Sequence, residues 1–260
     1  MGLPFYQVDA FASRPFSGNP AAVMPLPEWL PDETLQAIAA EHNLAETAFF
    51  VPQGSEFHLR WFTPTVEIPL CGHATLASAY IVFNELDRAR SEVVFHTRSG
   101  ALTVVRDGDR LLMDFPAYRT EPASHTEVAP VTEALGAKVI DLRRSRHYVA
   151  VVESEDIVRN LKPDLARVAA LPLDVFVTAR GAKADFVSRV FLPKIGIPED
   201  PVTGAAHCYL ASYWSEVLER KTFFARQVSR RGGELWLRLE GDRLKMAGHA
   251  VLTVTGQVHI

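Results

Sequence analysis

Two loops and one turn hold the residues whose types and spacing suit chemistry. Cys71, Gly72 and His73 lie in PLCGHA (69–74), and Glu199, Asp200, Thr203 and Gly204 lie in EDPVTGAA (199–206). Each loop has the form Pro-x-x-Gly, follows a strand-like run and leads into an apolar helix-like run. Amides at a helix start present unpaired N–H groups at the positive end of the helix dipole, so both loops suit a small anion such as a carboxylate. Capping is the plainer role for Asp200 and Thr203, because both types are preferred there. His73, just inside its helix, is harder to explain as a cap. Glu46, in NLAETAFFV (43–51), stands between a helix end and an apolar strand. Most glutamates in such turns are solvated. One held against apolar groups becomes a usable proton donor or acceptor. A free cysteine is more often a small buried apolar residue than a reactive one, and both Cys71 and Cys208 admit that role.

The elements that must position these residues occur twice. FHLRWFTPTVEI (57–68) and FVSRVFLPKIGI (186–197) share Phe, Arg, Phe, Pro and Ile, with Arg60 onto Arg189 at an offset of 129. Gly72 falls onto Gly204 at 132, and SGALTVVRDGDRLLM (99–113) onto GGELWLRLEGDRLKM (232–246) at 133. Chance similarity of strand–turn–strand segments is the alternative, since Gly-Asp turns are common. A unit of about 130 residues is too long for a solenoid and has the size of a domain. A cleft between two such domains is the natural place for a ligand.

Within each copy, patterning predicts strands at 6–11, 47–51 and 57–62, a helix beginning near Asp32, and a meander over 92–97, 101–106 and 110–115. Asp32 or a neighbour is expected to cap that first helix. Residues 73–86 predict a helix that is apolar nearly all round, hence buried. The second copy predicts a helix near 163–170, strands near 174–178 and 185–191, a central helix over 205–219, and strands at 234–240 and 243–247. Residues 116–130, with three prolines, predict a linker. The domains are therefore expected at 1–115 and 116–248, with 249–260 returning as a strand to the first.

Composition removes several functions. The chain has 260 residues, 48% hydrophobic and 22% charged, with a net charge of −4 and two cysteines. That is a globular balance with no basic footprint for nucleic acid. Two cysteines make no disulfide framework. The start, MGLPFYQVDAF, lacks a secretion signal, and no apolar run is long enough to span a bilayer, so a cytoplasmic protein is expected. There is no G-x-G-x-x-G, no G-x-x-x-x-G-K-[ST], no C-x-x-C and no H-E-x-x-H, so neither cofactor nor metal is expected. SRRGG (229–233) reads as a turn or a solvated basic patch.

Five ordered motifs carry a family resemblance: FSGNPAAV (16–23), NLAETAFF (43–50), FTPTVEIPLCGHATLA (62–77), EDPVTGAAHCYLA (199–211) and QVSRRGG (227–233). Together the chain resembles the phenazine-biosynthesis PhzF-like family over essentially its whole length. The resemblance implies an α+β fold of the diaminopimelate-epimerase type. It has two pseudo-symmetric domains, each a curled, mostly antiparallel sheet around a central helix. It also implies a cofactor-independent isomerase or epimerase, with Glu46 as the general acid/base and His73 and Asp200 as its catalytic partners. Asn19, Cys71, Gly72, Thr203, Gly204 and Ala205 are the implied substrate-binding positions. The implied partner is a small carboxylate or amino-acid-like substrate, with a homodimer kept open. Two features depart from relatives of this fold. Ala205 stands where the phenazine branch often has serine. Thr203 stands opposite Cys71 where a two-thiol epimerase needs a second cysteine, and a threonine hydroxyl is a far weaker base than a thiolate. A non-catalytic binding protein and a Cys71-dependent amino-acid racemase are the alternatives.

Overall fold

A computed structural model describes residues 2–260. The chain divides into two compact units, Met1–Asp114 with Ala247–Ile260, and Phe115–Met246. The fold is α+β in both.

The first unit opens with β1 (Gly2–Ala10), β2 (Asn19–Pro25), α1 (Asp32–His42), β3 (Glu46–Gln53) and β4 (Glu56–Phe62). It continues through β5 (Glu67–Ile68), α2 (Gly72–Ile81), β6 (Glu92–Thr97), β7 (Gly100–Asp107) and β8 (Arg110–Pro116). β1–β2, β3–β4, β6–β7 and β7–β8 pair antiparallel, while β2–β3 and β4–β6 pair parallel. The two parallel pairings need crossovers, and α1 and α2 supply them. α1 lays Leu35, Ile38 and Ala39 on Met24, Phe49 and Phe62 of the sheet. α2 buries eight of its residues, as an all-round apolar helix must. Its hydroxyls are satisfied internally: Thr75 Oγ1 donates to Cys71 O at 2.6 Å and Ser78 Oγ to Ala74 O at 2.8 Å.

The second unit contains β9 (Glu121–Pro122), α3 (His125–Leu135), β10 (Asp141–Arg144), β11 (Tyr148–Val151), α4 (Glu155–Asn160) and α5 (Leu165–Ala170). It continues through β12 (Val175–Arg180), β13 (Phe186–Leu192), β14 (Ile197–Asp200), α6 (Gly204–Leu218), β15 (Thr222–Gln227), β16 (Gly233–Glu240) and β17 (Arg243–Gly248). Its pairing order repeats that of the first unit. β10–β11 and β12–β13 are antiparallel, β11–β12 and β13–β15 parallel, and β15–β16 antiparallel. The final strand, β18 (Ala250–His259), pairs antiparallel with β1 of the first unit.

Three expectations change. Residues 116–130 are not a plain linker, because α3 begins at His125 and carries Pro130 inside it. The cause is a capping sequence: Glu127 returns to accept the Ser124 N–H at 2.8 Å. The helix expected over 73–86 ends at Ile81 and passes into a π-helical turn, Val82–Leu86. The helix near 163–170 is α5, and the short α4 before it is one that patterning does not predict. Asp32 does not cap α1. Pro31 is the N-cap, without a side-chain cap bond, and Asp32 pairs with Arg60 at 2.8 Å.

The repeated arginines are structural. Arg60 binds both oxygens of Glu67 at 2.8 Å, and Arg189 binds those of Glu199 at 2.7 and 2.9 Å. Each guanidinium also sits 5.0 Å from an aromatic ring, Phe62 or Phe191. Each glutamate lies five residues before the loop glycine, Gly72 or Gly204. A planar, bidentate clamp thus holds the chain as it enters each Pro-x-x-Gly loop.

Candidate active site

In the first unit the structure brings Glu46, Cys71, His73 and Asn19 together. Glu46 is the first residue of β3, paired in register with Ala21 of β2. His73 is the second residue of α2, with Cys71 as its N-cap. Glu46 Oε2 lies 2.9 Å from His73 Nε2. On the other side of the ring, Nδ1 lies 3.4 Å from Cys71 Sγ and 3.3 Å from Asn19 Nδ2. Asn19 is fully buried, Cys71 is 6% exposed, and Glu46 and His73 are each 7% exposed. Glu46 is therefore no solvated turn residue.

Glu46 Oε2 and His73 Nε2 are buried, and neither has an aligned hydrogen-bond partner among the described residues. They face each other closely without the linear geometry of a hydrogen bond. Such groups are costly to bury, which makes this pair the most chemically poised in the unit. Burial works against charge on the His73 ring, but Cys71 and the Glu46 carboxylate outweigh it and hold the ring well above the usual imidazole range. Burial pushes the Cys71 thiol up, and the Glu46 carboxylate adds to that push. The surroundings thus favour the charged form of the ring and disfavour Cys71 as a thiolate base.

Gly72 opens α2, whose N-cap makes no side-chain cap bond among the described residues.

In the second unit Asp200, Thr203 and Gly204 form their own group around Gln227. Thr203 Oγ1 donates to Asp200 Oδ2 at 2.5 Å, so these two residues bind each other and neither caps α6 by its side chain. Gln227 is fully buried. Its Oε1 accepts the Thr203 N–H at 2.9 Å, and its Nε2 donates to Asp200 O at 2.7 Å and to Thr203 Oγ1 at 3.2 Å. Ser229 Oγ donates to Pro201 O at 2.7 Å, which ties the SRRGG turn to the same loop. His207, also fully buried, has one ring nitrogen 2.8 Å from Thr203 O and the other 3.5 Å from Ser188 Oγ. Burial lowers its pKa to about 4, so it is neutral and donates from Nδ1. Ala205 is exposed at the helix start. Glu199 belongs to the Arg189 clamp.

Sequence reasoning missed Gln227 and His207. The signal for Gln227 is in its strand: β15 alternates outward and inward, and Gln227 falls on the inward register. A polar side chain at such a position needs partners.

The chain matches the family described as phenazine biosynthesis-like protein over residues 8–256. It is 52% identical over 263 residues to an uncharacterized isomerase of Pseudomonas aeruginosa, covering 100% of both chains. A crystal structure of a PhzF-family phenazine biosynthesis protein from Enterococcus faecalis shares 43% identity and superposes with a TM-score of 0.97, covering 100% of both chains. A predicted epimerase of Pseudomonas aeruginosa shares the fold at 23% identity, with a TM-score of 0.78 over 98% of this chain and 99% of the other. The chain belongs to the phenazine biosynthesis-like, PhzF family, whose curated relatives include proteins named isomerases. Among the described residues no helix is long and apolar enough to cross a membrane.

Proposed function

We propose that this protein is an isomerase that moves a proton between two carbons of a small carboxylate substrate, with Glu46 as the acid/base. The observation that carries this is the buried Glu46–His73 pair, 2.9 Å apart with its facing atoms uncommitted to other protein groups. Glu46 takes a proton from an activated C–H bond, the double-bond electrons shift by one carbon, and Glu46 returns the proton at the far end. No atom is gained or lost. His73, 2.9 Å from Glu46, offers a proton donor to charge that develops on the substrate. The α2 start, with Gly72, holds the substrate's carboxylate against its amides. Asn19 orients the His73 ring. Fixing the substrate within reach of one carboxylate is what lets that group serve both carbons.

Asp200, Thr203, Gly204 and Ala205 enter the proposal through the EDPVTGA motif. The Gln227 bonds support it, because they hold Asp200 and Thr203 in one conformation. The raised pKa of Cys71 favours the carboxylate over the thiol as the base.

The test is to incubate small unsaturated acids and amino acids in heavy water with wild type, Glu46→Gln and Asp200→Asn, and to read deuterium uptake by mass spectrometry. Wild type is expected to label at least one compound. Glu46→Gln is expected to lose about 100-fold or more in rate, the scale of general acid–base catalysis. Undiminished exchange by Glu46→Gln removes Glu46 from the mechanism.

A further inference from the structure

We infer that the indole N–H of Trp61 is a further substrate-binding donor, held for a carboxylate oxygen. Trp61 lies in β4, is 1% exposed, and its Nε1 has no hydrogen-bond partner among the described residues. A buried indole N–H usually finds an acceptor, and one left without bears the full cost of desolvation. Elsewhere the fold supplies that acceptor. Trp29 Nε1 donates to His58 Nδ1 at 3.2 Å, and Trp214 Nε1 donates to Thr178 Oγ1 at 2.9 Å.

The register puts Trp61 on the face of the sheet that carries Glu46. Trp61 pairs with Ala48 of β3, and directly opposed residues of an antiparallel pair share a face. Ala48 and Glu46 alternate in one strand, so they share that face too. Trp61 is therefore diagonal to Glu46, and diagonal neighbours stand about 7–8 Å apart, within reach of an aromatic side chain. The opposite face, with Phe49 and Phe62, is the one that α1 covers. On its other side Trp61 pairs with Ile68 of β5, three residues before Cys71. Trp61 thus adjoins both the strand that begins with Glu46 and the strand that leads into Cys71, Gly72 and His73.

These neighbouring elements carry three buried polar atoms with no aligned protein partner: Glu46 Oε2, His73 Nε2 and Trp61 Nε1. Buried groups of this kind need an explanation, and one enclosed ligand serves all three. The indole only donates, so its partner is an acceptor. A carboxylate oxygen makes the stronger, charge-assisted bond. The choice of a carboxylate rests on the proposed function; the unmatched donor does not. A carboxylate keeps its charge throughout the proton transfer, so the bond contributes alike to ground and transition states. Its loss is read in KM and not in kcat.

The test is a titration of full-length protein, labelled with 15N at its indoles, with the small carboxylic acids of the exchange screen. NMR follows the Trp61 N–H, assigned through its own backbone resonances, so this arm needs no variant. At least one acid is expected to move that signal downfield. Trp61→Phe is expected to bind the same acid more weakly by about tenfold or more, the scale of one charge-assisted hydrogen bond. Trp29→Phe is expected to bind it as wild type does. In the exchange assay Trp61→Phe is expected to raise KM by a similar factor and to keep kcat. A Trp61 signal that no acid moves gives the N–H to an internal water and overturns the inference. A Trp61→Phe variant with wild-type affinity, or with its loss confined to kcat, also overturns it. The two readings fail separately. A moved signal with undiminished exchange by Glu46→Gln keeps the donor and rejects the role of Glu46. Exchange that depends on Glu46 beside an unmoved signal does the reverse.

Discussion

Replacing Gln227 with leucine removes three hydrogen bonds from a side chain with no exposed surface. The acceptor for Thr203 N–H goes, and so do the donors to Asp200 O and Thr203 Oγ1. Three neutral bonds at about 1 kcal/mol each give roughly 3 kcal/mol. Added apolar burial returns about 1 kcal/mol at most, and the two orphaned backbone groups limit that return. The net loss is expected near 2–3 kcal/mol. With a urea slope of about 3 kcal/mol per molar, the midpoint falls by close to 1 M. Urea unfolding measures this, and hydrogen exchange at the Thr203 amide localises it. Gln227→Glu is expected to be at least as harmful at neutral pH, because a carboxylate oxygen would face Asp200 O. A midpoint shift under about 0.2 M for Gln227→Leu, with Thr203 still protected, would refute the view that this side chain holds the loop.

Three further outcomes follow from the geometry. Gly18→Ala should cost more than about 3 kcal/mol, because a Cβ there meets Ala10 O at 2.2 Å at a φ of +67°, whereas Gly54→Ala, with a φ of +65° and open space, should cost only about 1–2 kcal/mol; paired urea curves check the contrast. His207 has a folded pKa of about 4 against an ordinary 6.5, so the unfolded chain binds more protons between those values. Stability is then lost as pH falls from 6.5 to 4, by up to about 3 kcal/mol, and this part of the slope should vanish in His207→Gln unfolding series. A double-mutant cycle with Arg189→Met and Glu199→Gln should give a coupling of about 1–2 kcal/mol, with a similar value for Arg60 and Glu67; urea unfolding of the four chains reads it, and a coupling near zero would make both clamps ornamental.

Much of the fold could be read from the chain because the same device is spelled twice. Arg60 and Phe62 recur as Arg189 and Phe191, and the structure gives both pairs one job, so the sequence spacing tracked a physical constraint. The all-round apolar run after Gly72 likewise permitted nothing but a buried helix. The three prolines of 116–130 suggest a linker, but Ser124 and Glu127 form a cap that starts a helix tolerating Pro130. β10 and β11 were missed because their fully buried or short runs show little alternation. At the candidate site, Glu46, His73 and Asp200 were legible as motif residues. Their local electrostatics were not, since the shift at His73 depends in part on Glu46, which only the folded chain brings beside it. Strand alternation marks Gln227 as inward but does not name its partners in the Asp200–Thr203 loop, and His207 escaped because it acts through the Thr203 carbonyl.

The central claim is that one carboxylate, Glu46, carries the proton from one carbon to the other. It is tested most directly with a turned-over substrate deuterated at its reacting carbon, in ordinary water, with mass spectrometry locating the label in the product. The account predicts that wild type delivers part of the label to the new carbon, because a buried carboxylate exchanges slowly with solvent, and that Glu46→Gln delivers none. Turnover by Glu46→Gln at the wild-type rate would contradict it.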